Sequence, residues 1–305
     1  MAQYRYRLVN VFAGDELLGR SALSGNPLCV FEDASGMDER HMMALTRQFN
    51  LSETTFLLPP SDPQSASARV RIFTPTNDPR LAEMRFAGHP TLGSAHVVRS
   101  LHGGGDTATL ELPAGRVPVV ASGDVWTLTA PFDGAPLVHP ESMSERQVAA
   151  LLGLDAQDLA GPPVWVDTGM EQFLVPLKSP LLVRKATPAA AEIDNWPRSR
   201  SGRCNAYVFA FAQDEVDGRR QVAARFFIKA PGSGLYEDPG TGSACANLGG
   251  WLLHTGQALP ARVRVAQGLE IERPCRLFLD ITRDAKVQVG GRVVEVASGT
   301  VRLPD

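Results

Sequence analysis

Two stretches decide how this chain is read: Phe86-Ala87-Gly88-His89-Pro90-Thr91-Leu92-Gly93 and Asp238-Pro239-Gly240-Thr241-Gly242-Ser243-Ala244-Cys245. Each opens a run of small and apolar residues, for which periodicity predicts a helix, over residues 91–101 and 243–254. A helix of Gly, Ala, Ser and Cys lets strands approach closely, so each is expected to lie buried inside its own sheet. Each also follows an Arg-x-Phe strand, Arg71-Ile72-Phe73 in one half and Arg225-Phe226-Phe227 in the other. Upstream, Thr55-Phe56-Leu57-Leu58-Pro59 echoes Gln172-Phe173-Leu174-Val175-Pro176, and the string from Asn26 to Phe31 loosely echoes that from Asn205 to Phe209. Such an internal repeat predicts two copies of one α+β unit, each a curved, mainly antiparallel sheet wrapped on a central helix. The expected domains are residues 1–133 and 134–305, with the return of the last strand to the first domain left open.

Around those helices, short Val, Ile, Phe and Leu runs between turn residues predict strands, among them residues 53–58, 68–73, 107–112, 286–289 and 293–298. Two more helices are expected at residues 38–49 and 144–152. At 305 residues the chain is long enough for two cores, and 44% hydrophobic with 21% charged residues is a globular composition. With 30 Lys+Arg against 33 Asp+Glu the net charge is -3, which lacks the basic excess of a nucleic-acid binder. No apolar run reaches the 18 or so residues of a membrane span, so the expectation is a cytoplasmic protein with neither nucleic-acid nor membrane partners. Cys29, Cys204, Cys245 and Cys275 form no C-x-x-C pair and read as core residues.

The chemistry is expected where the two helices begin. A helix N-terminus preceded by Gly and Pro presents bare N–H groups and a positive dipole end, an arrangement suited to a carboxylate or phosphate. If the two units pack face to face, Gly88 and Gly242 meet across one cleft. Glu53 stands between Ser52 and Thr54 at an apolar strand end, where desolvation would raise its pKa toward the range of proton transfer. The bland alternative is a turn acid after Phe49-Asn50. His89 either hydrogen-bonds the substrate or relays a proton, or is a satisfied loop histidine, and a protonated His89 or a substrate group would give activity its descending pH limb. Asp238 is either a helix cap or a carboxylate that orients an amine or hydroxyl. The third glycine of a dinucleotide fingerprint is missing after Gly240 and Gly242, and Asp238-Pro239 stand where a strand should end. No G-x-S-x-G surrounds Ser243, and the six histidines show no metal-ligand spacing.

The strings Gly25-Asn26-Pro27-Leu28, Leu51-Ser52-Glu53-Thr54-Thr55-Phe56, Arg71-Ile72-Phe73-Thr74-Pro75, Phe86 through Gly93, and Glu237 through Ala244 resemble, in order, the phenazine biosynthesis PhzF-like proteins. That resemblance implies the diaminopimelate epimerase-like fold, a homodimer, no cofactor and no metal. For the namesake enzyme it implies isomerisation of trans-2,3-dihydro-3-hydroxyanthranilate. It makes Glu53 the acid/base, with His89 and Asp238 as the other catalytic residues. Gly88, Gly240, Thr241, Gly242 and Ser243 are expected to bind a small carboxylate substrate. Where racemases of this fold carry paired thiols, this chain has Ala87 and Pro239, so one carboxylate acting on a single face is favoured. Racemisation or dehydration on the same fold, and a non-catalytic binding module, are the alternatives. Longer segments at residues 14–24 and 76–84, and Arg85 in place of a common Pro, set this chain apart from the family pattern.

Overall fold

Alternating apolar runs become strands and the small-residue runs become helices in the computed structural model, which describes residues 2–14, 23–76, 79–132, 134–188, 194–229 and 234–303. The first half carries β1 (Ala2–Val11), β2 (Asn26–Phe31), α1 (Glu39–Phe49), β3 (Glu53–Leu58), β4 (Ala68–Phe73), β5 (Glu83–Met84), α2 (Gly88–Leu101), β6 (Thr107–Leu112), β7 (Gly115–Ser122) and β8 (Val125–Thr129). Then come β9 (Leu137–Pro140), α3 (Glu145–Leu151), β10 (Val164–Asp167), β11 (Gln172–Pro176), α4 (Pro180–Lys185), β12 (Cys204–Val216) and β13 (Arg219–Lys229). The chain continues through β14 (Leu235–Asp238), α5 (Gly242–His254), β15 (Ala261–Gln267), β16 (Cys275–Ile281) and β17 (Val287–Leu303). It divides into two compact units, Met1–Thr129 with Gly290–Asp305, and Ala130–Val289.

In the first unit the pairings run β1–β2–β3–β4–β6–β7–β8, and β17 closes the ring by pairing with both β8 and β1. Only β2–β3 and β4–β6 are parallel. Helix α2 fills this ring. A Cβ on its Gly93 would come within 2.5 Å of Leu28 and 3.0 Å of Val11, so only glycine admits the strands at that distance. Helix α1 covers the outer face, where Phe31 and Phe56 stack at 4.9 Å and Phe73 meets Phe56 edge-on at 5.6 Å. Asp38 caps α1 by accepting from the His41 N–H at 2.8 Å, and Asn50 ends it in the left-handed conformation. That stop turns the chain so that β3 begins at Glu53.

The second unit repeats the plan with β9–β10–β11–β12–β13–β15–β16, only β11–β12 and β13–β15 being parallel, and α5 at its centre. Each unit is thus the curved, mainly antiparallel sheet around one buried helix that the repeat predicts. Both Arg-x-Phe strings do the same work: Arg71 pairs with Glu83 at 2.7 Å and lies over Phe73, while Arg225 pairs with Glu237 at 2.7 Å and lies over Phe227.

Four expectations are corrected. The upstream echoes were crossed, because β2–β3 corresponds to β11–β12, each a parallel pair leading to an antiparallel hairpin. Apolar strings that end in Pro look alike, and only their pairing order tells them apart. Residues 286–289 and 293–298 are not two strands but the single β17, since Gly290 continues the ladder where a Cβ would meet Trp126 O at 2.7 Å. Helix α2 begins at Gly88, so His89 and Pro90 belong to its first turn rather than to a loop. Finally, a strand, β14, does end at Asp238. The segment at residues 14–24 falls largely outside the described residues, as do residues 77 and 78, although Gly14 N–H donates to Ser24 Oγ at 2.8 Å.

Candidate active site

Glu53, the first residue of β3, lies beside Leu28 of β2. Side chains alternate along a strand, so Glu53 shares a face with Thr55, whose hydroxyl accepts from Ser94 of α2 at 3.0 Å. The carboxylate is therefore turned toward the central helix. There its Oε2 lies 3.4 Å from Nε2 of His89, with side-chain exposures of 16% and 6%. The other ring nitrogen of His89 donates to the carbonyl of Pro27, which holds the imidazole in place. Burial lowers the His89 pKa to about 3, so the ring is neutral at pH 7. This corrects the expectation of a protonated His89. A neutral ring that donates through Nδ1 presents the lone pair of Nε2 to Glu53, so Glu53 in its acid form faces an acceptor. Ala87 caps α2 in an extended conformation and offers no side-chain oxygen to the first-turn N–H groups.

At the mouth of α5 the cap residue is Thr241, which also makes no side-chain cap bond. Its hydroxyl accepts from Gln267 Nε2 at 3.1 Å and donates to the Asp238 carboxylate. Gln267 Nε2 also donates to the Asp238 carbonyl at 2.9 Å. The amide of Gln267 thus sets the direction of this chain, and Asp238, only 7% exposed, receives a hydrogen bond. Such a carboxylate can accept further from an amine or hydroxyl. Ser243 Oγ, in the first turn of α5, accepts from Gln172 Nε2 at 2.8 Å. Gly240 and Gly242 flank Thr241 and leave the approach to the first turn without bulky side chains.

The structure thus joins Glu53 to His89, and Asp238 to Thr241 beside Ser243. Cys245 is fully buried three residues past the start of α5, and burial pushes its thiol pKa up, as at Cys29 and Cys275. Such thiols are poor bases. Among the described residues no group of three or more His, Cys, Asp and Glu side chains is arranged to hold a metal, and no helix is long and apolar enough to cross a membrane. Sequence reading missed Thr168, Gln172, Asn247 and Gln267. For the last three the available signal was a lone amide in an otherwise apolar run, since a buried amide must be hydrogen-bonded.

Two helix-centred, mainly antiparallel sheets of this kind define the diaminopimelate epimerase-like fold. A probable proline racemase from Agrobacterium radiobacter shares that fold at 12% identity, with a TM-score of 0.57 over 99% of this chain and 93% of its own. The family model for phenazine biosynthesis-like proteins matches residues 16–299, and the chain belongs to that family. It is 34% identical to an uncharacterized isomerase of Pasteurella multocida, over 100% of this chain and 96% of the relative. It is 30% identical to the trans-2,3-dihydro-3-hydroxyanthranilate isomerase of Pseudomonas aeruginosa, over 98% and 100%. A phenazine biosynthesis protein of Bacillus anthracis superposes with a TM-score of 0.81 at 22% identity, over 99% and 100%. These relatives support an isomerase of this family.

Proposed function

We propose that the protein is a cofactor-independent isomerase that moves a proton within a small carboxylate-bearing ring substituted with amino or hydroxyl groups. Its substrate class would be that of the Pseudomonas relative, trans-2,3-dihydro-3-hydroxyanthranilate. Glu53 takes a proton from an activated C–H, the electron pair delocalises into the conjugated system, and the resulting acid, whose proton exchanges with solvent before it is delivered, returns a proton to another carbon. Atoms and charge balance without an oxidant or reductant. The observation that carries this assignment is the half-buried carboxylate of Glu53 beside a neutral imidazole at the start of α2. His89 accepts from Glu53 in its acid form, which orients that acid in the site. Bare first-turn N–H groups favour a substrate carboxylate, and a carboxylate such as that of Asp238 can accept a hydrogen bond from an amine or hydroxyl. Inversion by paired thiols is not proposed, because Cys245 lies buried in its protonated form.

The test is solvent deuterium incorporation into trans-2,3-dihydro-3-hydroxyanthranilate. The wild-type protein should exchange and isomerise it. Glu53→Gln keeps the shape and removes the basic oxygen, so exchange should fall by about 100- to 10,000-fold. A fall of less than tenfold in a folded variant removes Glu53 from the central role.

A further inference from the structure

Ser243 is half-buried, and its hydroxyl ends a chain of side-chain amides in which every link has one possible direction. The chain starts on the backbone. Thr168 N–H donates to Asn247 Oδ1 at 2.9 Å, and the Thr168 hydroxyl does so at 2.6 Å. A backbone N–H cannot accept, so the atom facing it must be the amide oxygen. On its other side Asn247 Nδ2 donates at 2.7 Å to the carbonyl of Met170, which cannot donate. Both backbone contacts impose the same orientation on Asn247, and its Nδ2 also donates to Gln172 Oε1 at 2.8 Å. Gln172 is then bound to turn its own Nε2 on Ser243 Oγ, at 2.8 Å. Asn247 is 0% exposed and Gln172 1%, which leaves no room for water to offer either amide another partner. The Ser243 oxygen therefore accepts, and among the described residues its proton faces only the weak acceptor Met170 Sδ at 4.0 Å.

We infer that Thr168, Asn247 and Gln172 form a polarised relay that turns the Ser243 proton away from Gln172 and leaves it free to donate, selecting a ligand with a carboxylate oxygen at the mouth of α5. The relay rests on the carboxylate substrate proposed above. Ser243 touches the ligand, while Asn247 and Gln172 are positioning residues that act through it. Packing alone does not ask for two amides in this place. Apolar side chains would fill the volume, whereas an amide left unpaired there is costly.

The test reverses the polarity. In Gln172→Glu the side chain keeps its shape and still accepts from Asn247, but it sets a second acceptor against Ser243 Oγ, which must turn its proton inward. Binding of anthranilate, an aromatic aminocarboxylate, should weaken by about 10- to 100-fold at neutral pH. It should recover on acidification, as the introduced carboxylate takes up a proton and its O–H donates to Ser243 again. In a Ser243→Ala background the same substitution should add no further loss. An equal extra loss there would mean that the new charge acts directly on the ligand, and would overturn the relay. So would unweakened binding in a folded Gln172→Glu protein. Neutron diffraction from the deuterated wild-type chain decides the matter without any ligand. A Ser243 deuteron directed away from Gln172 supports the relay, and one directed at Gln172 overturns it. Failure of the isomerase assay together with an outward deuteron would sink the substrate assignment and leave the relay standing.

Discussion

His89 shows how burial, more than sequence neighbourhood, decides what a residue does. Its pKa of about 3 lies below the ordinary 6.5, so between those values the unfolded chain binds a proton that the folded chain refuses. Above pH 6.5 both states hold a neutral ring and the residue leaves stability unaffected by pH. As pH falls from 6.5 toward 3, folding stability is lost at about 1.4 kcal/mol per pH unit from this group. His89→Asn removes that component. Chemical denaturation of both proteins at pH 7, 6, 5 and 4 should therefore show the wild type losing more stability on acidification than the variant. A constant difference across the series would mean that His89 titrates normally. The alkaline limb of any activity profile should be the same in both, because His89 has no second proton to lose there.

Among the elements, the two Arg-x-Phe strands and the two small-residue helices were legible because their residues are distinctive. A helix that must admit strands at contact distance needs glycine at Gly93, and a buried arginine needs an acid across the next strand. The continuity of β17 was not legible, since Gly290-Gly291 reads as a break wherever glycine is taken as punctuation. What sequence cannot express is that the glycine is there for its missing side chain. Gly290→Ala would place a Cβ 2.5 Å from Thr127 Oγ1 and 2.7 Å from Trp126 O, a backbone atom that cannot swing away. The expected cost is about 1 to 3 kcal/mol, read from the denaturation midpoint at unchanged slope. A variant as stable as wild type would show that β8 and β17 yield at this point. For the candidate site, Glu53, His89, Asp238 and Ser243 could each be named from their motifs. The direction of the protons around Asp238 and Ser243 could not, because it is set by Gln172, Asn247 and Gln267, ordinary polar letters in apolar surroundings.

At the scale of the whole molecule, the two units are not two successive segments of chain. Residues Gly290–Asp305 belong with Met1–Thr129, and β17 there pairs with β1 and β8. Deleting Gly290–Asp305 should therefore open the first ring and bare the edges of β1 and β8, which is a template for aggregation. The shortened protein should be insoluble or lack isomerase activity, although Glu53 stands in β3, far from the cut in sequence. A soluble, active product would show that the ring closes without its last strand.

The same strand gives the nascent chain a timetable. Ala130–Val289 is contiguous, so the ribosome releases every residue of that unit before it releases the rest of β17. The unit begun first is completed last: β1 waits, with its hydrogen-bonding edge bare, until Val293–Leu303 arrives to pair with Val11–Ala2. Pairing across so long a separation is slow. During synthesis the half bearing Glu53 and His89 is thus the half whose sheet stays open longest.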